Sequence, residues 1–147
     1  MKNYKKENIV FVEQAKPLGT GHALKKAGAA INEKNKVLVL LGDVPLVKRE
    51  TIKQLECSLA DNELTVLTVV VERPEGYGRI VRDNNGNVKA IVEESECTEE
   101  EKKIKEINTG IMAFAPNKLE GWLKELNADN KKGEYYLTDV IKMAYDE

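Results

Sequence analysis

Asp43 stands at the end of an apolar run, Val37-Leu38-Val39-Leu40-Leu41-Gly42-Asp43-Val44-Pro45-Leu46. Five apolar residues bounded by glycine and proline predict a strand buried on both faces of a parallel sheet. Ligands of open α/β sheets bind beyond the carboxyl ends of the strands, so Asp43 would face that crevice. A carboxylate there can hold a magnesium ion, which in turn holds phosphates. Gly42-Asp43 is also ordinary turn chemistry, and this stretch alone leaves both readings open. A second candidate is Gln14-Ala15-Lys16-Pro17-Leu18-Gly19-Thr20-Gly21-His22-Ala23. Pro17 and Gly19 mark a loop, and Thr20 can cap a helix running to Ile31. The free N–H groups opening such a helix suit phosphate or base carbonyls, although Gly-Thr-Gly can equally serve only the turn. In Arg73-Pro74-Glu75-Gly76-Tyr77-Gly78 the glycines allow close approach of backbone to a ligand.

The surrounding pattern supplies elements to carry these residues. Ile9-Val10-Phe11-Val12 reads as a strand. A helix follows, then the Val37 strand, a helix over Arg49 to Leu59 with Ile52, Leu55 and Leu59 at helical spacing, and a Val- and Thr-rich strand over Leu64 to Val71. The order β, α, β, α, β predicts parallel strands with helices on both faces. Arg79 to Arg82 and Val88 to Glu93 flank the turn signal Asp83-Asn84-Asn85-Gly86-Asn87, an antiparallel hairpin inserted in that sheet. Residues 98 to 105 are helix-prone, and Ile107 to Phe114 reads as a strand with a polar mouth at Asn108-Thr109-Gly110. Pro116 starts a helix with an apolar stripe of Leu119, Trp122, Leu123 and Leu126, in which Trp122 is core. Thr138 or Asp139 caps a last helix reaching Tyr145.

The chain of 147 residues is long enough for one domain. A net charge of −2 offers no basic footprint, so nucleic acid is not an expected partner. No apolar run is long enough to span a bilayer and nothing resembles a secretory signal, so no membrane is expected and a cytoplasmic location is. The two cysteines, Cys57 and Cys97, lack metal-ligand spacing and are expected to be free thiols, Cys57 as a small packing residue. The single histidine excludes multi-histidine metal sites within one chain.

Taken together, Gln14-Ala15, Leu18-Gly19-Thr20-Gly21-His22-Ala23, Gly42-Asp43-Val44-Pro45-Leu46, Gly76-Tyr77-Gly78-Arg79-Ile80, Ile91-Val92-Glu93, Ile107-Asn108-Thr109-Gly110 and Gly133-Glu134-Tyr135-Tyr136-Leu137-Thr138-Asp139 occur in an order that resembles one family. That family is the pyrophosphorylase domain of the bacterial bifunctional N-acetylglucosamine-1-phosphate uridyltransferases. The resemblance runs from about Asn8 onward, so residues 1–147 are expected to form part of one such domain. It implies an α/β, Rossmann-like nucleotidyltransferase fold, with a mostly parallel sheet and an antiparallel hairpin insertion, here incomplete. It also implies the reaction of UTP with N-acetylglucosamine 1-phosphate to give UDP-N-acetylglucosamine and pyrophosphate, on the way to cell-wall peptidoglycan and lipopolysaccharide. Carried over residue by residue, Asp43 matches the magnesium-binding aspartate. Gln14, Gly19 and Thr20 match residues at the uracil, and Leu41 and Gly42 match backbone positions lining the nucleotide. Gly78, Glu93 and Asn108 match residues holding the N-acetylglucosamine moiety, with Tyr136 and Thr138 bordering the same pocket. No residue is assigned a general-base role, because positioning and charge neutralisation dominate such transfers.

The chain also departs from that pattern. The family's opening strand and glycine-rich phosphate loop have no counterpart before Asn8. The asparagine that serves as second magnesium ligand and the acetyltransferase β-helix have none downstream. The isolated chain is therefore expected to be weak or inactive as a uridyltransferase, and open sheet edges are expected to favour self-association. The alternative is a non-catalytic sugar-nucleotide-binding or interaction module derived from the same domain.

Overall fold

A computed structural model describes residues 9–32 and 34–147; the polar, basic opening as far as Asn8 lies outside them. The element order is α1 (Thr20–Ala27), β1 (Val37–Val39), α2 (Arg49–Ser58), β2 (Leu64–Val70), β3 (Arg79–Arg82), β4 (Val88–Val92), β5 (Glu106–Phe114), α3 (Leu119–Glu125) and α4 (Asp139–Asp146). Strand β5 is the centre of the sheet. It pairs with β2 along one side, and with β1 and β3 on the other, β4 completing the hairpin with β3. Side chains alternate along β5, as the pleat requires. Met112 and Phe114 join the cluster formed with α3 and α4, while Ile111 and Ala113 face Leu55 of α2 and Leu59 at its C-terminal cap. The sheet is thus covered on both faces, the α/β arrangement expected. Each fully buried aliphatic or aromatic side chain in these clusters contributes about 1.5–3 kcal/mol.

Among the described residues every hydrogen-bonded strand pair is antiparallel, whereas a mostly parallel sheet was expected. The reason is topological. Val37 and Leu64 are both in register with Phe114, so β1 and β2 run the same way but β5 lies between them in the opposite sense. The crossover through α2 therefore spans one intervening strand.

Other expectations fail for local reasons. Ile9 to Val12 form no strand and stay exposed, Phe11 at 85%, because no strand among the described residues supplies them a ladder. Strand β1 stops at Val39, and Leu38 and Leu40 are exposed, so the run is not buried on both faces. Residues 98 to 105 contain only a short 3-10 turn, Glu101–Lys103; Thr98 and Glu101 exchange hydrogen bonds that cap it, and Lys102 and Lys103 pair three residues back with Glu99 and Glu100. Helix α3 starts at Leu119 rather than Pro116, because Asn117 has φ 64, outside the helical region. Cys57 is exposed rather than packed, and both cysteines are free. Burial pushes the Cys97 thiol up. The hairpin turn forms as read: one carboxylate oxygen of Asp83 accepts the N–H groups of Asn85 and Asn87, and Gly86 takes φ 87. Trp122 is core, its indole N–H donating to Glu147 at 2.8 Å.

Beside the hairpin, Arg82 donates to both oxygens of Glu106, at 2.8 and 2.6 Å, and the Thr68 hydroxyl adds a 2.6 Å bond. The Arg82 guanidinium holds the Glu106 carboxyl below the usual carboxylate range, against the upward pull of burial. A carboxyl that titrates lower in the folded state contributes stability above its unfolded pKa, about 4.3, and loses it as pH falls through the depressed value. Glu106→Gln is therefore expected to lower the urea midpoint at pH 7 and to flatten its decline in acid. Parallel acid declines in the two proteins would refute the assignment.

Candidate functional site

Strand β5 breaks its ladder with β2 where the polar mouth begins. Val66 is in register with Met112 but Thr68 with Asn108, so β5 carries two extra residues there, and Gly110 takes φ 77. Such a bulge re-aims side chains and leaves backbone groups to be satisfied locally. The Gly110 N–H donates to Asn108 Oδ1 at 2.9 Å, and the Thr109 hydroxyl donates to the Leu67 carbonyl at 2.7 Å. The absent side chain of Gly110 is filled by Leu41, whose Cδ1 would overlap a Cβ there. That contact sets Leu41, which precedes Gly42 and Asp43, against Gly110.

Asn108 is joined equally closely to the second loop. Its N–H donates to the Gly78 carbonyl at 2.9 Å. A Cβ on Gly78 would crowd Ile91 at 2.9 Å, while Glu93 Oε1 lies 3.5 Å from the same point, an ordinary contact distance. The loop is clamped from beneath by Arg79, whose guanidinium is 1% exposed. Its Nη1 donates to the Tyr77 carbonyl, and its Nη2 lies 2.6 Å from Glu94 Oε2, which also accepts the Gly76 N–H. Backbone of 76 and 77, the Arg79 guanidinium and the Glu94 carboxylate are thereby tied into one unit.

The remaining expected residues attach through the start of α4. The Thr138 hydroxyl donates to Glu93 Oε1 at 3.0 Å, so it points away from the helix it was expected to cap. The preceding segment holds the first loop: Tyr135 N–H donates to the Leu18 carbonyl, Gly21 N–H to the Tyr135 carbonyl, and Leu137 N–H to Thr20 Oγ1. Thr20 is accordingly the first residue of α1, with Gly19 at the cap position. Gln14 donates to the Gly19 carbonyl. A line of contacts thus runs from Gln14, Gly19 and Thr20 through Leu137 and Thr138 to Glu93, Gly78, Asn108, Gly110 and Leu41, beyond which Gly42 and Asp43 are exposed.

Three features of this line were not read from the sequence. Thr138 holds Glu93, forty-five positions distant. Tyr136 Oη and Ser95 Oγ are both buried, and burial pushes the Tyr136 phenol up against an opposing pull from Ser95. Burial, and then the charge of Glu93, push the Asp139 carboxyl up as well. A raised carboxyl pKa means that the ionised form costs stability above it, and the cost vanishes once pH falls below the unfolded value. Asp139→Asn is expected to raise the urea midpoint at neutral pH and to match the parent in strong acid. An unchanged midpoint at pH 7 would show that Asp139 feels no such field.

Asp43 is exposed, and among the described residues its carboxylate has no ion-pair or hydrogen-bond partner. No group of three or more His, Cys, Asp or Glu placed to hold a metal occurs among the described residues. Two concavities lie elsewhere, one between α2, β2 and the end of α4, the other between α1 and α3; neither includes any of the expected site residues. No described helix is long and apolar enough to cross a membrane.

The arrangement has known counterparts. Structures of UDP-glucose pyrophosphorylase share the fold: the complex with UDP-glucose superposes with TM-score 0.70 at 21% identity, over 93% of this chain and 54% of that one. The apo structure gives TM-score 0.65 at 22% identity, over 94% and 52%. The chain thus has the α/β fold of those structures. The chain belongs to the nucleotidyl transferase family, whose profile matches residues 1–147. It is 50% identical over 140 residues to the bifunctional protein GlmU of Nitrosomonas europaea, and 51% identical over 138 residues to that of Pseudomonas entomophila. These matches cover 95% and 94% of this chain but 31% and 30% of the relatives, so the chain spans under a third of their length. The family resemblance drawn from the motifs is borne out.

Proposed function

We propose that this chain is part of the uridyl-transferring domain of a cytoplasmic enzyme that makes UDP-N-acetylglucosamine, and so serves peptidoglycan and lipopolysaccharide synthesis. A phosphate oxygen of N-acetylglucosamine 1-phosphate attacks the α-phosphorus of UTP; the new P–O bond forms as the bond to pyrophosphate breaks. The observation carrying this reading is the line of contacts that joins Gln14, Gly19 and Thr20 to Gly78, Glu93 and Asn108 and, through Gly110, to Leu41, two residues before Asp43.

In this reading each group does what its free valences allow. Glu93 has one carboxylate oxygen engaged by Thr138 and the other available to accept from a sugar hydroxyl. Asn108 spends Oδ1 on Gly110, which leaves its amide nitrogen to donate to the sugar. Gln14, Gly19 and Thr20 hold the uracil, and Leu41 and Gly42 line the nucleotide. Asp43 fits a magnesium ion, which takes hard oxygen ligands and needs only one or two protein carboxylates beside phosphates and water. When bound, that ion neutralises charge on the phosphates during transfer.

Calorimetric titration of UDP-N-acetylglucosamine with magnesium tests the reading. The chain is expected to bind, and Asn108→Ala to weaken binding about tenfold or more, since a sugar group then loses its partner. Absence of binding, or an affinity indifferent to Asn108→Ala, would sink the proposal. Pyrophosphate release measured on the same samples separates a catalytic chain from one that only binds.

A further inference from the structure

Both hydrogens of the Gln14 amide are committed. Nε2 lies 3.1 Å from the Gly19 carbonyl oxygen and 2.8 Å from His22 Nδ1. A carbonyl can only accept, so the nitrogen of the amide, not its oxygen, faces Gly19. The second amide hydrogen then points at His22 Nδ1, which must be the acceptor, and the ring proton resides on Nε2. Oε1 is what Gln14 has left, and it can only accept. His22 is itself well held. It stands in the first turn of α1, where Gly21 donates to the Tyr135 carbonyl, and its ring packs against that of Tyr135 with centroids 6.0 Å apart.

We infer that His22 is a positioning residue for base selection. By accepting from Gln14 it locks the amide with Oε1 outward, a fixed acceptor that suits the ring N–H of uracil and opposes the lone pair that cytosine carries at the same position. The inference rests on the proposed reading of Gln14 as the residue at the base. Without His22 the amide keeps a single anchor, the Gly19 carbonyl, and is free to swing and offer its N–H to cytosine.

The test is calorimetric titration of UDP and CDP into the full chain, its His22→Ala variant and its His22→Asn variant. Alanine is the best helix former and removes no core side chain, so the first variant is expected to fold, which circular dichroism checks. The parent is expected to prefer UDP on the order of 30-fold, the ratio that follows when the wrong base leaves an acceptor unpaired. His22→Ala should bring the ratio to within about threefold, and His22→Asn, whose Oδ1 can stand where Nδ1 stood, should restore most of it. A histidine that only supports the helix would weaken both nucleotides alike; an unchanged ratio in His22→Ala therefore overturns the inference. So does a ratio in His22→Asn that stays at the alanine value, or a parent that binds both nucleotides equally. A parent that binds neither overturns the proposed reading of the site and this inference with it.

Discussion

Replacement of Gly19 by alanine is expected to destabilise the protein by about 3 kcal/mol and to abolish nucleotide binding. Gly19 has φ 103 and ψ 171, a region reserved for glycine. A Cβ there would lie 2.5 Å from the Tyr135 carbonyl oxygen and 2.9 Å from its nitrogen. Those are backbone atoms tied to Leu18 and Gly21, so no rotamer change relieves the overlap. The loop would have to leave Tyr135, taking with it the carbonyl that holds Gln14 and the Thr20 hydroxyl that accepts from Leu137. Urea denaturation measures the first effect and UDP titration the second. Gly28→Ala serves as the contrast: its backbone is helical and a Cβ meets nothing within 4 Å, so it should be neutral or stabilising by about 0.4–1 kcal/mol. Similar losses in the two variants would mean that the Gly19 loop is not held as described.

Phe114→Ala is expected to cost about 3–5 kcal/mol, a large part of the 5–15 kcal/mol that holds a domain together. Phe114 is fully buried and ends the central strand. It is in register with Val37 on one side and Leu64 on the other, and its ring lies 6.3 Å from that of Trp122. Its loss opens a cavity shared by β1, β2 and α3, three elements that cannot all close on it. The melting temperature should fall on the order of 10 °C. Phe114→Leu, which fills most of that space, should lose less than half as much; equal losses would indicate that the ring itself, rather than its volume, holds the strands.

Much of the architecture could be read in advance because it is written in local chemistry. Leu55 and Leu59 at helical spacing, the Asp83 to Asn87 turn and the apolar stripe at Leu119, Trp122, Leu123 and Leu126 each determine their own element within a few residues. The ordered motifs likewise placed the chain in its family. The antiparallel pairing could not be read this way. Nothing in Val37 to Val39 or Leu64 to Val70 says that Phe114 will come between them, since a strand's pattern reports which face is buried and not which neighbour it bonds. Ile9 to Val12 show the same limit from the other side, with strand-like composition but no ladder.

The candidate site divides along the same line. Residue types alone suggested that Asp43 could hold a metal and that the glycines at 76 and 78 allow close approach, because valence and the missing Cβ are properties of single residues; the sugar roles of Glu93 and Asn108 came from the family resemblance. Only the tertiary structure decided which valences are spent: Thr138 on Glu93, Gly110 on Asn108, Gly19 and His22 on Gln14. One of those bonds, Thr138 to Glu93, spans forty-five positions, while the others close within two to eight residues. A hydrogen bond depends on distances of a few tenths of an ångström, which residue spacing along the chain does not encode.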